Sequence, residues 1–468
     1  MPATNASLSK FILAREYELA LAVEICPREC GSSPVGRERT GPATVVVRDS
    51  YERGESVESA LGGYGLYYRS PLAELGLVAR AGTLLGETPT PIDVLVPDSR
   101  GARLADAFRS AVASTNYFKR HFIGLGRIPH DSLVEYSSTA CLCRLDDYVE
   151  ERDLLRDALF HSEPEELQAT AGQRRHSFAL FLNALKDDPA AATESAAFRN
   201  RVWGDFLARE GFTEARSRVT SQWTALILKE YMQESISAMW IDLCTEGLHH
   251  QPDDGFTPEE VRDLLRKDLA AARSLKVGKS KIACKPAMPM SELNESFASA
   301  TSEMSLEDLR KWTREEGSAV AGIAFLKTVC DRLPPRDSFS ETDRAFLDIG
   351  VQRSMRQDGL LQVARALATH LSEDPTLADT VVWAVRRFLI EVHERVAYSK
   401  LPNFTFRFRS ESGRLRFYNL GVWAFDLADM RHGSMSQLSL DLSYWRKASD
   451  GGGRLTADGK RFVAEAFR

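Results

Sequence analysis

No stretch of the sequence stays apolar for the length that a bilayer crossing needs, and its first residues, MPATNASLSK, lack the basic-then-apolar layout of a secretory leader. A cytoplasmic protein without membrane contact is expected. Cysteine is scarce: seven residues scattered over 468 are an odd number and no disulfide framework, so reduced thiols are the expectation. A basic excess is missing too. With 60 Lys and Arg against 66 Asp and Glu, the formal charge is -6, so the surface as a whole does not suit coating nucleic acid and any such contact must be a local patch.

The patterns that carry chemistry are also missing. There is no HExxH, no GxxxxGK[ST], and no Rossmann unit after Gly62-Gly63-Tyr64-Gly65. Val277-Gly278-Lys279-Ser280 contains GKS but lacks the upstream glycine and the preceding strand of a nucleotide site. No Asp followed by Glu-x-Lys stands in the strand context of a nuclease. Cys26 and Cys30 are four apart and Cys141 and Cys143 two apart, and four thiolates could take zinc if the fold joined them. Neither spacing is the usual knuckle, so buried reduced cysteine is the reading, with no metal, no cofactor and no catalytic residue assigned. If the chain is instead an enzyme, hydrolase or nuclease-like, its site must be assembled from distant residues. His393, Glu394 and Lys400 are then the candidates.

What is present is a long chain, 43% hydrophobic and 27% charged, which are the proportions of folded globular proteins. Most of it carries helical spacing, interrupted near both ends by strand patterns, so the expected class is mainly α: a multi-helix body with short β-hairpins. Thr257-Pro258-Glu259-Glu260 reads as a capped helix start running to about Leu275, and Ser305-Leu306-Glu307-Asp308 as another. Lys276 to Pro289, basic and carrying Pro286 and Pro289, breaks the pattern. The expected divisions are a winged-helix-like module over 1–125, a helical domain over 126–275, a loop or linker over 276–290, a helical domain over 291–400, and a hairpin with a second winged-helix-like module over 401–468.

The two modules are suggested by order. Ser70-Pro71 opens a short helix closed at Gly76, extended segments follow at Leu77 and at Ile92 to Val96, and Asp98-Ser99 caps a helix from Arg100 to about Phe122. Asp441 to Trp445 matches Glu74 to Val78, and the segment from Gly459 echoes that from Gly101. Chance similarity is the competing explanation. The helix before the first wing, Pro71 to Gly76, has no basic residue, which suits protein contact better than a major groove. Arg431, His432, Arg446 and Lys447 supply the second module better.

The clearest strand signal is Asn403 to Asn419. Phe404, Phe406 and Phe408 alternate with Thr405, Arg407 and Arg409; after Ser410-Glu411-Ser412-Gly413, Leu415 and Phe417 alternate with Arg414, Arg416 and Tyr418. A hairpin with buried rings and an outward face of Arg407, Arg409, Arg414 and Arg416 is expected, extended by Lys400. Guanidinium forks on a two-stranded ribbon suit phosphates or an acidic partner.

The stretches GYGLYYRSPLAELGLV and KLPNFTFRFRSESGRLRFYN resemble segments of uncharacterised bacterial helical proteins with winged-helix-like segments, associated with anti-phage defence islands. That resemblance carries no residue roles; it implies a defence or mobile-element setting and nothing more. The relatives carry further helical sequence before the wing, so the first module is expected either to be incomplete or to be completed by residues 1 to 60. Taken together, the expected function is a non-catalytic subunit of a multi-component bacterial system, touching DNA, RNA or an acidic protein through the basic hairpin. A purely structural scaffold is the other alternative.

Overall fold

The computed structural model describes residues 5–28, 34, 49–59, 61–124, 126–161, 165–270, 273–348, 358–420, 431–449 and 451–468. It is mainly α, with strands only in short two-stranded antiparallel pairs among these residues. No helix among them is long and apolar enough to cross a membrane. The chain forms two compact units, residues 1–193 with 433–468, and residues 194–432. The boundaries expected at 125, 275, 290 and 400 therefore do not mark compact bodies: the chain leaves its first unit, builds a second, and returns.

In the first unit, the Asn5–Glu24 helix brings Leu21 and Ala22 against Tyr51, Val112, Tyr117, Ile128, Leu133 and Tyr136. Tyr117 and Tyr136 stack at 4.1 Å. Glu18 is fully buried there, and its carboxylate accepts from Arg15 at 2.6 Å, from Arg53 and from the Tyr117 hydroxyl. Val112 belongs to the first module, so residues before residue 60 do share that module's core.

Two helix ends, one in each of the stretches compared above, are alike in backbone detail. The Arg69–Glu74 helix ends with Leu77 N–H donating to Leu72 O at 2.9 Å and Gly76 N–H to Ala73 O at 3.0 Å, with Gly76 at φ +69°. The His432–Asp441 helix ends with Tyr444 N–H donating to Ser439 O at 2.9 Å and Ser443 N–H to Leu440 O at 2.8 Å, with Ser443 at φ +62°. Both are Schellman stops, which need a left-handed residue to turn the chain back. The helix that follows packs equally close in each: a Cβ on Gly101 would lie 1.9 Å from Leu77 O, and one on Gly459 2.0 Å from Tyr444 O. Stop, glycine and closest contact thus agree between the two stretches. Two details differ from expectation. Ile92 to Val96 contributes only the Ala79–Val94 bridge, and the helix from Arg100 ends at Val112 before a separate turn at Tyr117–His121.

The Val149–Phe160 helix touches both modules through neighbouring residues. Arg100 Nε pairs with Asp157 at 2.8 Å; Arg156 donates to Leu442 O and pairs with Asp458 at 2.9 Å.

The second unit is built on the Glu214–His250 helix, capped by Thr213 and buried on almost every side. A helix so placed must be apolar or paired all round. Leu228, Tyr231, Met232, Met239 and Leu243 meet the first condition. Glu230 and Glu234 meet the second, with Arg199 3.0 Å from Glu230 and Arg314 2.7 Å from Glu234. The Ala319–Asp331 helix lies against it at Gly322, where a Cβ would stand 2.5 Å from Ser235 O.

The capping boxes at Thr257 and Ser305 both form. The first helix is shorter than expected, however: Pro258–Asp263 passes through a π-type turn, Leu264–Leu269, and Leu275 lies in a strand. Residues expected as a linker form a hairpin instead, Arg273–Val277 with Ser280–Cys284, because Leu275, Val277, Ile282 and Cys284 can share one buried face.

Candidate functional site

The arginine-bearing ribbon is Phe408–Glu411 paired with Arg414–Phe417. Its turn is only Ser412 and Gly413, both at positive φ, +51° and +78°, as a two-residue turn of primed type requires. Ser410 and Glu411, expected in the turn, are strand residues. Phe406 and Phe408 are fully buried, with Leu415 and Phe417 beside them, whereas Phe404 is exposed.

Both edges of the ribbon are sealed onto helices and loops of its own unit. Leu415 exchanges two backbone hydrogen bonds of 2.8 Å with Phe256, and Gln251 accepts from Phe417 N–H. On the other side, His393 Nε2 accepts from Arg407 N–H at 3.0 Å and Glu394 accepts from Ser410 N–H at 2.5 Å. The acceptor atoms offered for acid–base work are thus engaged by main-chain amides. The His393 ring is wedged between Trp240 and Phe408, centroids at 4.6 and 4.5 Å. Burial, with the charges of Arg407 and Lys400, holds its pKa down to about 4. A neutral imidazole accepting from an amide is a fastener. Lys400, exposed at the end of that helix, touches neither His393 nor Glu394 through any hydrogen bond among the described residues, so the three do not form a proton-transfer set.

Arg409, Arg414 and Arg416 lie on the outward face, with side chains 35–41% exposed. They are oriented chiefly by uncharged acceptors: Arg414 by Gly255 O at 2.9 Å, Arg416 by Asp253 O at 2.7 Å, and Arg409 by the Tyr398 hydroxyl at 3.2 Å. Carboxylates approach less closely. Glu411 is 3.9 Å from Arg409 and 4.0 Å from Arg416, and Glu260 is 3.9 Å from Arg414. The cations are therefore partly countered by two acids, where the sequence led us to expect one at the turn. Arg407, just before the strand, is half-buried and its charge acts on Cys244 and His393.

Residues that sequence reasoning passed over make a second basic ribbon. Lys276, Lys279, Lys281 and Lys285 are all exposed on or beside the 273–284 hairpin, and none has an ion-pair partner among the described residues. Trp312 Nε1 donates to Lys276 O at 2.8 Å and holds the strand to the body. The signal was the alternation Leu275, Val277, Ile282, Cys284 against Lys276 and Lys281, hidden by the prolines that follow.

One pattern unites the ribbons. Lys276 is paired directly with Lys281, Arg409 with Arg416, and Arg446 of the C-terminal ribbon with Arg454. Like charges directly opposite each other in a sheet lower its stability, a cost that Glu411 offsets in part at the Arg409–Arg416 pair. No protein-family model, curated protein or solved structure matches the chain.

Proposed function

We propose that the protein is a non-catalytic binding component that grips the phosphate backbone of nucleic acid through basic β-ribbons, foremost those bearing Arg407, Arg409, Arg414 and Arg416 and Lys276, Lys279, Lys281 and Lys285. The observation that carries this reading is the like-charged cross-strand pair in three separate hairpins, a costly arrangement that an external polyanion would relieve. Guanidiniums held by main-chain carbonyls keep further N–H groups for phosphate oxygens, and lysines act there as point charges. The helix before the C-terminal ribbon, His432–Asp441, carries no Lys or Arg, so backbone contact suits the chain better than base reading. In keeping with the resemblance of its sequence, we place this component in a multi-protein bacterial anti-phage system in the cytoplasm, with its winged-helix-like modules meeting protein partners.

Fluorescence anisotropy with labelled duplex and single-stranded DNA and RNA, titrated across salt, is the test. The log–log salt slope for the wild-type is expected to exceed that of Lys276, Lys279, Lys281 and Lys285 changed together to Ser by about 0.7–0.9 per phosphate contact removed. Changing Arg407, Arg409, Arg414 and Arg416 to Ser is expected to weaken binding further. The lysine variant is the cleaner one because those side chains have no ion-pair partner among the described residues. Absence of binding at low salt, or equal slopes in wild-type and both variants, would refute the reading. Retention of an acidic polypeptide but no nucleic acid would move the proposal to a protein partner.

A further inference from the structure

Beyond the basic ribbons, a separate feature of the first unit points to a metal. Cys26 follows the Asn5–Glu24 helix, Cys141 ends the His130–Ala140 helix, and Cys143 sits in the single turn Leu142–Arg144. Although 117 residues separate them in sequence, the Cys26 and Cys143 sulfurs are 3.7 Å apart, and all three sulfurs lie within 4.8 Å of one another. That separation excludes a disulfide in this state, whose sulfurs bond at about 2.05 Å. It does match the edge of a zinc tetrahedron: thiolates about 2.3 Å from the ion stand about 3.8 Å from each other.

We propose that Cys26, Cys141 and Cys143 bind one structural Zn²⁺ as thiolates. Cys26 and Cys141 are 4% and 2% exposed, enclosed with Val23 and Leu19, while Cys143 is partly open and leaves a side from which an ion and a fourth ligand can enter. Binding converts three S–H groups to three Zn–S bonds and releases three protons to solvent, which leaves the three-thiolate site with one net negative charge. Arg28 stands beside it, with Nη1 donating to Cys143 O at 2.7 Å and Nη2 paired with Asp147 at 3.2 Å. Packing alone gives no reason for three thiols from two distant segments to share one point, since each is a small apolar group content with any hydrocarbon neighbour. Tetrahedral sulfur donors select zinc over the hard divalent cations. The ion would pin the end of the first helix to the 141–143 turn.

The test is metal analysis of the full-length protein, purified reduced and without a metal-affinity step. About one zinc per chain is expected, together with thiolate-to-metal charge-transfer and strong visible d–d bands after cobalt substitution. C26S, C141S and C143S are expected to lose zinc and the cobalt spectrum, and C244S and C330S to keep both. Cys30, the other cysteine weighed from the sequence, lies outside the described residues. Because a cysteine variant can fail to fold, the wild-type is also melted with EDTA and after zinc is restored, and Tm is expected to fall and recover. No zinc in reduced protein reconstituted with excess metal, or retention of zinc by C26S combined with C143S, overturns the proposal.

Discussion

At the scale of single residues, two glycines in helices of the second unit should respond in opposite senses to the same substitution. Gly247 lies where the long helix meets the ribbon, and a Cβ there would stand 2.5 Å from the Phe417 ring. Gly204, exposed in the Ser195–Leu207 helix, has nothing within 4 Å of that position. Alanine in place of glycine gains about 1 kcal/mol of helix propensity at either site. At Gly247 the gain is set against overpacking of about 1–3 kcal/mol, because the ring is enclosed by Phe256 and Phe408 and cannot retreat. Gly204→Ala should therefore raise the urea midpoint and Gly247→Ala lower it. A rise at Gly247 would mean that the ribbon sits less tightly than its contacts imply.

At the scale of elements, the arginine ribbon depends on His393 remaining neutral, and this has a pH signature. The ordinary value for histidine is 6.5 and burial lowers it to about 4, so between those values the unfolded chain holds a proton that the folded one does not. Stability is then fully present above pH 6.5 and is lost as pH falls through 4, by at most about 3 kcal/mol for a 2.5-unit difference at 1.36 kcal/mol each. His393→Asn keeps a hydrogen-bond acceptor without a titrating ring. Urea melts at pH 7, 5.5 and 4 should show wild-type losing more stability than the variant across that range; parallel losses would show that the ring does not report on the ribbon. The same ribbon measures how far elements can be read from sequence. Its alternation of Phe and Arg was legible because register is local, whereas the turn proved to be only the second half of the Ser410 to Gly413 stretch read for it. The sealing of its edges by Gln251, Phe256, His393 and Glu394 was not, since those partners come from two other parts of the chain. The lysine ribbon was locally legible too, but Pro286 and Pro289 drew the reading toward a loop. Convergence of Cys26 with Cys143 had no local signal at all; only the packing of the first helix against the His130–Ala140 helix creates it.

At the scale of the whole molecule, the return of the chain at residue 433 predicts which pieces stand alone. Residues 433–468 cover Phe160 and Leu185: Phe462 lies 4.9 Å from Phe160, Tyr444 6.1 Å from it, and Gly453 against Leu185 and Ala192. Uncovering these two side chains would forfeit about 1.5–3 kcal/mol each. That total reaches into the ~5–15 kcal/mol net stability of an ordinary domain. Residues 1–193 alone should thus fail to fold, although they make up most of the first unit. The remedy is geometric. Ser436 Oγ donates to Ala192 O at 2.5 Å, so the two ends already meet, and a short Gly-Ser bridge from 193 to 433 should restore a cooperative thermal transition. Residues 194–432, with both the lysine and arginine ribbons and their own buried ion network, should melt cooperatively without either flank. They should also retain most of the salt-dependent nucleic-acid affinity proposed for the intact chain. Circular dichroism and anisotropy on the three pieces separate the outcomes: a folded 194–432 unit that no longer binds would assign the interface to the Arg446–Arg454 ribbon of the other unit, and a folded 1–193 piece would contradict the division itself.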